Sequence, residues 1–75
     1  MNMLKKANDL KVGDHIIIRG YGGFDWNTLE GKVLSLVDNG KWITAYVDDG
    51  KPFQLAGKTI YKDVALNKAD EIEVA

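Results

Sequence analysis

The sequence predicts an all-β fold, a small closed barrel of five short strands in a chain of 75 residues. Three observations lead to this prediction. Short β-branched and aromatic runs recur along the chain, Asn-Gly and Asp-Gly turn signals separate several of them, and no helical periodicity extends over a long segment. An open sheet of five short strands has two edge strands with unpaired backbone groups, and closure into a barrel removes these edges.

The first three predicted strands lie in the first two thirds of the chain. His15–Arg19 is a β-branched run that follows a Gly-Asp turn, and Lys32–Val37 is a second apolar run. The second run ends at Asn39-Gly40, a dipeptide that suits the positive φ angles of a tight hairpin. The third strand, Trp42–Val47, therefore pairs with the second.

The remaining strands are shorter. Phe53–Ala56 follows a second hairpin signal at Asp49-Gly50, and Pro52 is expected at its first position or on an edge because proline lacks a backbone donor. Glu71–Val74 alternates strictly, which places Ile72 and Val74 on one face. Thr59–Leu66 fits a strand or an irregular segment, and its apolar residues fit a helical stripe as well, so both interpretations stay open.

Residues 1–75 are interpreted as one domain, with residues 1–8 as either a frayed N-terminal end or a short first strand. No apolar run reaches the roughly 18 residues of a membrane helix, and the N-terminus lacks the apolar core of a signal peptide. The chain contains no cysteine, which fits a reducing cytoplasm. We therefore expect a cytoplasmic protein without a membrane partner.

Charge argues against a nucleic-acid partner. Ten basic and eleven acidic residues give a formal net charge of −1, and the lysines are scattered among acids. Nucleic-acid binders usually carry a basic excess or a basic stripe because phosphate contacts dominate their affinity. A surface of mixed charge is the simpler interpretation.

Residues 12–36 resemble the KOW motif of ribosomal proteins and NusG-type transcription factors. The resemblance rests on a Val-Gly-Asp turn followed by three isoleucines, on Gly23-Phe24, and on the segment Leu29–Leu36 with its Gly-Lys-Val core. It implies an SH3-like barrel that binds RNA, a ribosomal surface or a transcription protein, and it implies no catalytic residues. The longer loop and the lack of positive charge depart from the motif and favour protein contact.

The same segment allows local predictions. Ile16 and Ile18 share a face and should point inward, as should Val33. Gly31 should let the second strand bend or pass close to another backbone. Leu36 reaches the core only if a bulge shifts the alternation.

The sequence offers no catalytic or cofactor chemistry that we could assign. His15 is interpreted as a surface strand residue, and Ser35, the only serine, lies in mid-strand without a nucleophile motif. The glycines of Gly20–Gly23 lack the Gly-Lys-Ser/Thr ending of a phosphate loop. We predict a non-enzymatic protein without a cofactor or a metal.

The aromatic residues are the best candidates for a binding site. The stretch Arg19–Val33 holds four glycines and three aromatics, namely Tyr21, Phe24 and Trp26. A surface loop cannot bury all three together with its polar backbone. Phe24 is expected to fold back over the end of the barrel, which leaves Tyr21 and Trp26 for a partner. Arg19 beside them suits a phosphate, a carboxylate or stacking.

The third strand carries two more candidates. Trp42 and Tyr46 share one of its faces, and Ile43, Ala45 and Val47 share the other. The aliphatic set suits a tight barrel interior, so Trp42 and Tyr46 are expected outside, where they would join the loop aromatics in one patch. The opposite assignment, with both aromatics in the core, stays open.

These expectations combine into one functional hypothesis with two alternatives. The protein is a non-enzymatic interaction module that binds a protein partner through Arg19, Tyr21, Phe24, Trp26, Trp42 and Tyr46. Its size suits an accessory or regulatory factor of a bacterium or a bacteriophage. The alternatives are an RNA- or DNA-binding KOW-type module, in which the aromatics stack on bases, and a structural subunit of a larger assembly or homo-oligomer.

Overall fold

Six antiparallel strands pair into one sheet, and two more form a separate hairpin, in a computed structural model that describes residues 2–75. The strands of the sheet are β1 (Met3–Lys6), β2 (His15–Arg19), β3 (Thr28–Asn39), β4 (Trp42–Asp48), β7 (Lys62–Asn67) and β8 (Glu71–Val74). The hairpin consists of β5 (Phe53–Leu55) and β6 (Lys58–Ile60). The strand order of the sheet is β1-β8-β2-β3-β4-β7.

The sheet is strongly curled, as the connection between β7 and β8 shows. These strands are four positions apart in the sheet, which corresponds to roughly 19 Å if the sheet is flat. Only three residues separate Asn67 from Glu71, and four Cα-to-Cα steps span at most about 14 Å. The sheet must therefore bend round until its second and sixth strands approach each other.

The concave side of this sheet holds the core. Side chains from five strands are buried there, and Ile16, Leu29, Val33, Ala45, Val47, Leu66, Ile72 and Val74 belong to a single cluster. The segment after β1 covers one opening of the curl with Ala7 and Leu10, both buried. Two backbone hydrogen bonds hold this segment in place, from the Ala7 amide to the Asp70 carbonyl (2.8 Å) and from the Asn8 amide to the Lys68 carbonyl (3.2 Å).

Strand β3 follows the curl because it contains a glycine and a bulge. A Cβ atom on Gly31 would overlap the carbonyl oxygen of Asp48 on β4, so only glycine allows the two backbones to pass this closely. The register then shifts between Val33 and Ser35, which brings Leu36 against the core. The predictions for Gly31, Val33 and Leu36 are confirmed.

The strand predictions are confirmed over most of the chain. β2 has the predicted bounds, β4 and β8 match closely, and the Asn-Gly turn joins β3 to β4 with Gly40 at φ +71°. Ile72 and Val74 are both buried. Thr59–Leu66 is extended rather than helical, but Tyr61 interrupts it and divides it between β6 and β7.

Two expectations about topology do not hold. The turn at Asp49-Gly50 does not pair β4 with the next strand, because β4 pairs with β7 and β5 pairs with β6. The all-β class is confirmed, but the sheet has six strands instead of five and stays open between β1 and β7, so the closed five-stranded barrel is not confirmed.

The N-terminal segment contributes a strand. Met3–Lys6 pairs with β8 along its whole length, from Met3 opposite Val74 to Lys6 opposite Glu71. Residue 1, which belongs to the segment interpreted as an end, lies outside the described residues. Residues 2–75 contain no helix with the length and hydrophobicity needed to cross a bilayer.

Candidate interaction surface

The aromatic loop, residues 20–27, joins β2 to β3 and is closed by its own hydrogen bonds. The amides of Gly20 and Tyr21 both donate to the carbonyl of Asn27 (2.8 and 3.1 Å), and the Asn27 side-chain amide donates back to the Tyr21 carbonyl (3.0 Å). Gly20 and its neighbour Gly22 adopt positive φ angles of 72° and 74°, which glycine reaches without strain. The glycine-rich composition therefore builds a defined loop.

The tip of the loop displays two aromatic rings. Phe24–Asn27 forms a turn closed by a 2.9 Å bond from the Asn27 amide to the Phe24 carbonyl. The rings of Phe24 and Trp26 lie with their centroids 5.3 Å apart and their planes tilted by 31°, within the range of favourable aromatic pairs. Trp26 is 79% exposed and Phe24 54% exposed, so the pair offers most of its surface to solvent.

Tyr21 anchors the loop to the body of the protein. Its ring is half-buried against the core, and its hydroxyl donates a 2.8 Å hydrogen bond to the backbone carbonyl of Asp63 on β7. The expectation that Phe24 folds back over the end of the barrel is wrong, because Phe24 is mostly exposed and Tyr21 packs against the core instead. A tyrosine suits it better than a phenylalanine, since its ring fills apolar space while its hydroxyl satisfies a carbonyl at the strand edge.

Arg19 is held by an acidic neighbour. Its Nε and one terminal nitrogen donate to the two carboxylate oxygens of Glu73 at 3.1 and 3.2 Å. This paired hydrogen bond raises the pKa of Arg19 above its ordinary value and lowers the pKa of Glu73. A partner that uses Arg19 must share it with Glu73 or displace that carboxylate.

The outer face of β4 carries the second pair of candidates. Trp42 is 49% exposed and Tyr46 is 38% exposed, whereas Ile43, Ala45 and Val47 are buried. The preferred of the two face assignments is therefore confirmed. Trp42 and Tyr46 are four residues apart on one strand, which places their Cα atoms roughly 13 Å apart.

A row of smaller side chains, here called the trough, separates these two aromatic residues on the outer face. Thr44 stands midway between them, and its register partners are Val37 on β3 and Ala65 on β7. All three side chains are smaller than the indole and phenol rings beside them. The face thus offers a floor of small side chains with an aromatic ring at each end.

The structure brings only part of the predicted site together. Tyr21 contacts the backbone of Asp63, which is the register partner of Tyr46, so the aromatic loop and Tyr46 meet near the same point of β7. Trp42 pairs with Asn39, at the end of β3 that is remote from the loop. Of the loop aromatics, Tyr21 is thus linked to the strand position opposite Tyr46, whereas Trp42 lies at the other end of β3.

Sequence reasoning missed the floor of the trough and the anchor of the loop. Strand pairing places Val37 and Ala65 beside Thr44, and it places Asp63 within reach of Tyr21. No local sequence pattern shows these partners.

Comparison of the chain with protein-family models, with curated proteins and with solved structures gave no match. Its function must therefore be inferred from its own sequence and structure.

Proposed function

We propose that this protein is a non-enzymatic interaction module that binds a protein partner through its aromatic loop. The observation that carries the proposal is the exposed Phe24–Trp26 pair on a loop closed by hydrogen bonds. Tryptophan is the residue most enriched in binding hot spots, together with tyrosine and arginine. Phe24 and Trp26 together form a contiguous exposed apolar patch, the kind of surface that marks interaction sites.

The loop is suited to binding because it is already ordered. Five hydrogen bonds inside residues 20–27 and the bond from Tyr21 to β7 hold its backbone before any partner arrives. A preformed loop avoids most of the entropy that a flexible loop loses on binding. Affinity can then come from burial of the two rings.

The neighbouring outer face extends the proposed surface. Tyr46 is the register partner of Asp63, to which the loop is bonded through Tyr21, and the trough beside Tyr46 can take a narrow apolar side chain or a segment of extended backbone. Asp63 adds an exposed carboxylate at this edge. We assign Trp42 to the far rim of the surface, because it lies at the other end of β3.

The SH3-like character of the fold belongs to the same proposal. Five adjacent strands, in the order β8-β2-β3-β4-β7, enclose one core, and the short β7–β8 connection draws the ends of this set together. We propose that these five strands correspond to an SH3-like barrel, to which β1 and the β5–β6 hairpin are additions. The bent, bulged β3 shared by both halves of the curl supports this correspondence.

Nucleic-acid binding is the rival function that the charges disfavour. The arginine nearest the loop is paired with Glu73, and the tip itself carries Asp25 between its two aromatic residues. Phosphates would meet acids at both places. A stacking site for bases usually lies in a positively charged groove.

Capture from nuclease-treated native lysate tests the proposal. The wild-type protein should retain a stoichiometric protein partner, and Trp26→Ala should lose it. Val12→Ala is the matched control, because Val12 is an exposed apolar residue outside the loop. The control should retain the partner.

A fluorescence experiment separates the two surfaces and the two partner classes. Trp42→Phe leaves Trp26 as the sole indole, so the partner should shift its emission when it binds. Single-stranded oligonucleotides at low salt should leave that emission unchanged. Tight oligonucleotide binding that weakens steeply with added salt would overturn the proposal in favour of a nucleic-acid module.

A further inference from the structure

The β5–β6 hairpin, hereafter the arm, presents an apolar face to solvent. Phe53 stands opposite Ile60, and Leu55 stands opposite Lys58, so these four side chains share one face. Phe53, Leu55 and Ile60 are 62%, 56% and 45% exposed. The other face is polar, with a hydrogen bond between Thr59 and Gln54.

The arm stands apart from the body of the protein. Every residue from 53 to 60 is exposed, and the arm pairs with no strand of the main sheet. A two-stranded hairpin alone is marginally stable in water. An arm that keeps three large apolar side chains in solvent gains stability when another surface covers them.

The arm and its flanking residues differ in charge from the rest of the chain. Residues 51–62 contain three lysines and no acid, a formal charge of +3. The remaining residues hold seven basic and eleven acidic side chains, a formal charge of −4. Lys62 is paired with Asp49, but no ion pair within residues 2–75 involves Lys51 or Lys58. The arm therefore favours an apolar surface with a negative rim.

A surface of that kind exists on the body of the same protein. The ladder between β2 and β8 covers only two residue pairs, Ile16 with Val74 and Ile17 with Glu73. Beyond them the strands separate and leave a cleft. Its lining is mainly apolar, with charged residues at the rim, and comprises Leu4, Ile17, Ile18, Arg19, Leu66, Glu71, Ile72 and Glu73.

The size and charge of this cleft match the arm. Its volume is about 260 Å³. That is below the roughly 300–1,000 Å³ of small-molecule sites and suits one or two large side chains. Arg19 and Glu73 neutralise each other, whereas no ion pair within residues 2–75 involves Glu71. Glu71 is thus an exposed carboxylate on an apolar cleft, and Lys58 is an exposed amine on an apolar face.

We propose that the arm of one copy docks into the β2–β8 cleft of a second copy, with Lys58 against Glu71 of its neighbour. Pairing of two arms with each other is disfavoured, because each arm places Lys58 on the contact face and has Lys51 beside its base. The proposed contact is head-to-tail: each copy gives its arm to one neighbour and its cleft to another, so copies join into rings or short filaments. This surface is separate from the aromatic loop, which stays free in each copy.

Sedimentation velocity of the purified protein tests the contact. The mean mass of the wild type should rise with concentration from the micromolar range upward and pass beyond that of a dimer. Lys58→Glu and Glu71→Lys should each weaken association by about tenfold or more, as expected when an attractive charge pair becomes repulsive. The double variant should restore association, because it exchanges the two charges.

A mixing experiment tests the head-to-tail geometry. Leu55→Asn removes an apolar contact from the arm but keeps the cleft, and Glu71→Lys alters the cleft but keeps the arm. At a concentration where tenfold weaker association leaves little complex, each variant alone should sediment as a monomer. Their mixture should form a one-to-one dimer that does not grow, because one arm and one cleft remain intact and meet only once.

Two charge controls accompany these variants. Lys41→Glu and Asp9→Lys change exposed charges outside the arm and the cleft, and both should associate like the wild type. Circular dichroism should show an unchanged fold for all variants, since every substituted side chain is exposed. A wild type that stays monomeric up to near-millimolar concentration overturns the proposal. Binding of the arm to anionic vesicles or to oligonucleotides would not rescue it. The proposal is also overturned if Lys58→Glu and Glu71→Lys associate as strongly as the wild type.

Discussion

Single residues decide where this sheet can bend, and Gly31 is the clearest example. A Cβ at this position would lie 2.7 Å from the carbonyl carbon of Asp48 and 2.9 Å from the Cα of Asp49, and both are backbone atoms. Backbone cannot move aside as a flexible side chain can. The β3–β4 pair must therefore separate locally to accept any side chain larger than hydrogen.

Gly31→Ala should lower the free energy of unfolding by about 1–3 kcal/mol, the range for an overpacked interior site. Urea unfolding monitored by far-UV circular dichroism measures this change. Ser35→Ala, on an exposed position of the same strand, serves as the control and should change stability by no more than about 0.5 kcal/mol. Equal effects of the two substitutions would show that the close approach at Gly31 is relaxed in solution.

The aromatic residues of the proposed surface should contribute little to stability. Trp26→Ala and Trp42→Ala should each cost less than about 1 kcal/mol, because both side chains face solvent. Leu29→Ala, at a buried position of β3, should cost about 2–5 kcal/mol. Urea midpoints of the three variants provide the comparison. If Trp42→Ala lowers the free energy of unfolding as much as Leu29→Ala does, the indole of Trp42 lies in the core.

At the scale of elements, local chemistry predicted strands better than it predicted their partners. The β-branched run of β2 and the Asn-Gly turn after β3 are local signals, and the structure obeys them. The turn at Gly50 is equally local, but the strand pairing beyond it depends on whether β5 or β7 pairs better with β4. Pairing with β7 buries Leu66 and partly buries Val64 against the core, which no short window of sequence reveals.

The same limit applies to the candidate site. Alternation along β4 was sufficient to place Trp42 and Tyr46 outside, because period-two alternation is a local property of a strand. The exchange of roles between Tyr21 and Phe24 was not predictable, since it depends on the carbonyl of Asp63, 42 residues away in sequence. The aromatic loop was found by composition and positioned by tertiary contacts.

The arm is an insertion into a hairpin that β4 and β7 form without it. Val47 and Lys62 are register partners, so the chain leaves and re-enters the sheet at neighbouring points. Deletion of residues 51–60 joins Gly50 to Tyr61 and leaves a four-residue loop between these partners, a length that hairpins commonly use. The deletion should keep the fold and change stability by less than about 1 kcal/mol, because shortening a surface loop alters little but closure entropy.

Circular dichroism and urea unfolding measure the outcome of this deletion. If the deleted protein loses its cooperative transition, the arm is part of the folding unit and not an addition to it. If it folds and becomes strictly monomeric, the arm is the element responsible for self-association.

The whole molecule should lose stability in acid. Four carboxyl groups have a pKa below the ordinary value of their type in the folded state, namely Asp14, Asp38, Asp49 and Glu73. For Asp14 the main cause is the hydrogen bond from the Lys11 amide, supported by the nearby Lys5 amine. For Asp49 it is the hydrogen bond from the Lys62 amine. Each group binds a proton less readily when the protein is folded than when it is unfolded.

A lowered folded-state pKa contributes stability above the unfolded pKa, and this contribution disappears as the pH falls through the folded value. The urea midpoint should therefore be constant from neutral pH to about pH 5 and decline below it. Asp14→Asn should start from a lower midpoint and decline less steeply, because one of the four groups no longer titrates. A midpoint that rises on acidification would contradict these assignments.

The pairing of β1 with β8 has a consequence for how the protein folds. Residues 3–6 bond to residues 71–74, so one of the ladders of this sheet joins positions almost a full domain length apart. β8 also connects β1 to the rest of the sheet, since its other edge pairs with β2. During synthesis β1 has no pairing partner until the residues of β8 have left the ribosome. Contacts of such long sequence separation place the chain among the slower folders, on the order of milliseconds to seconds.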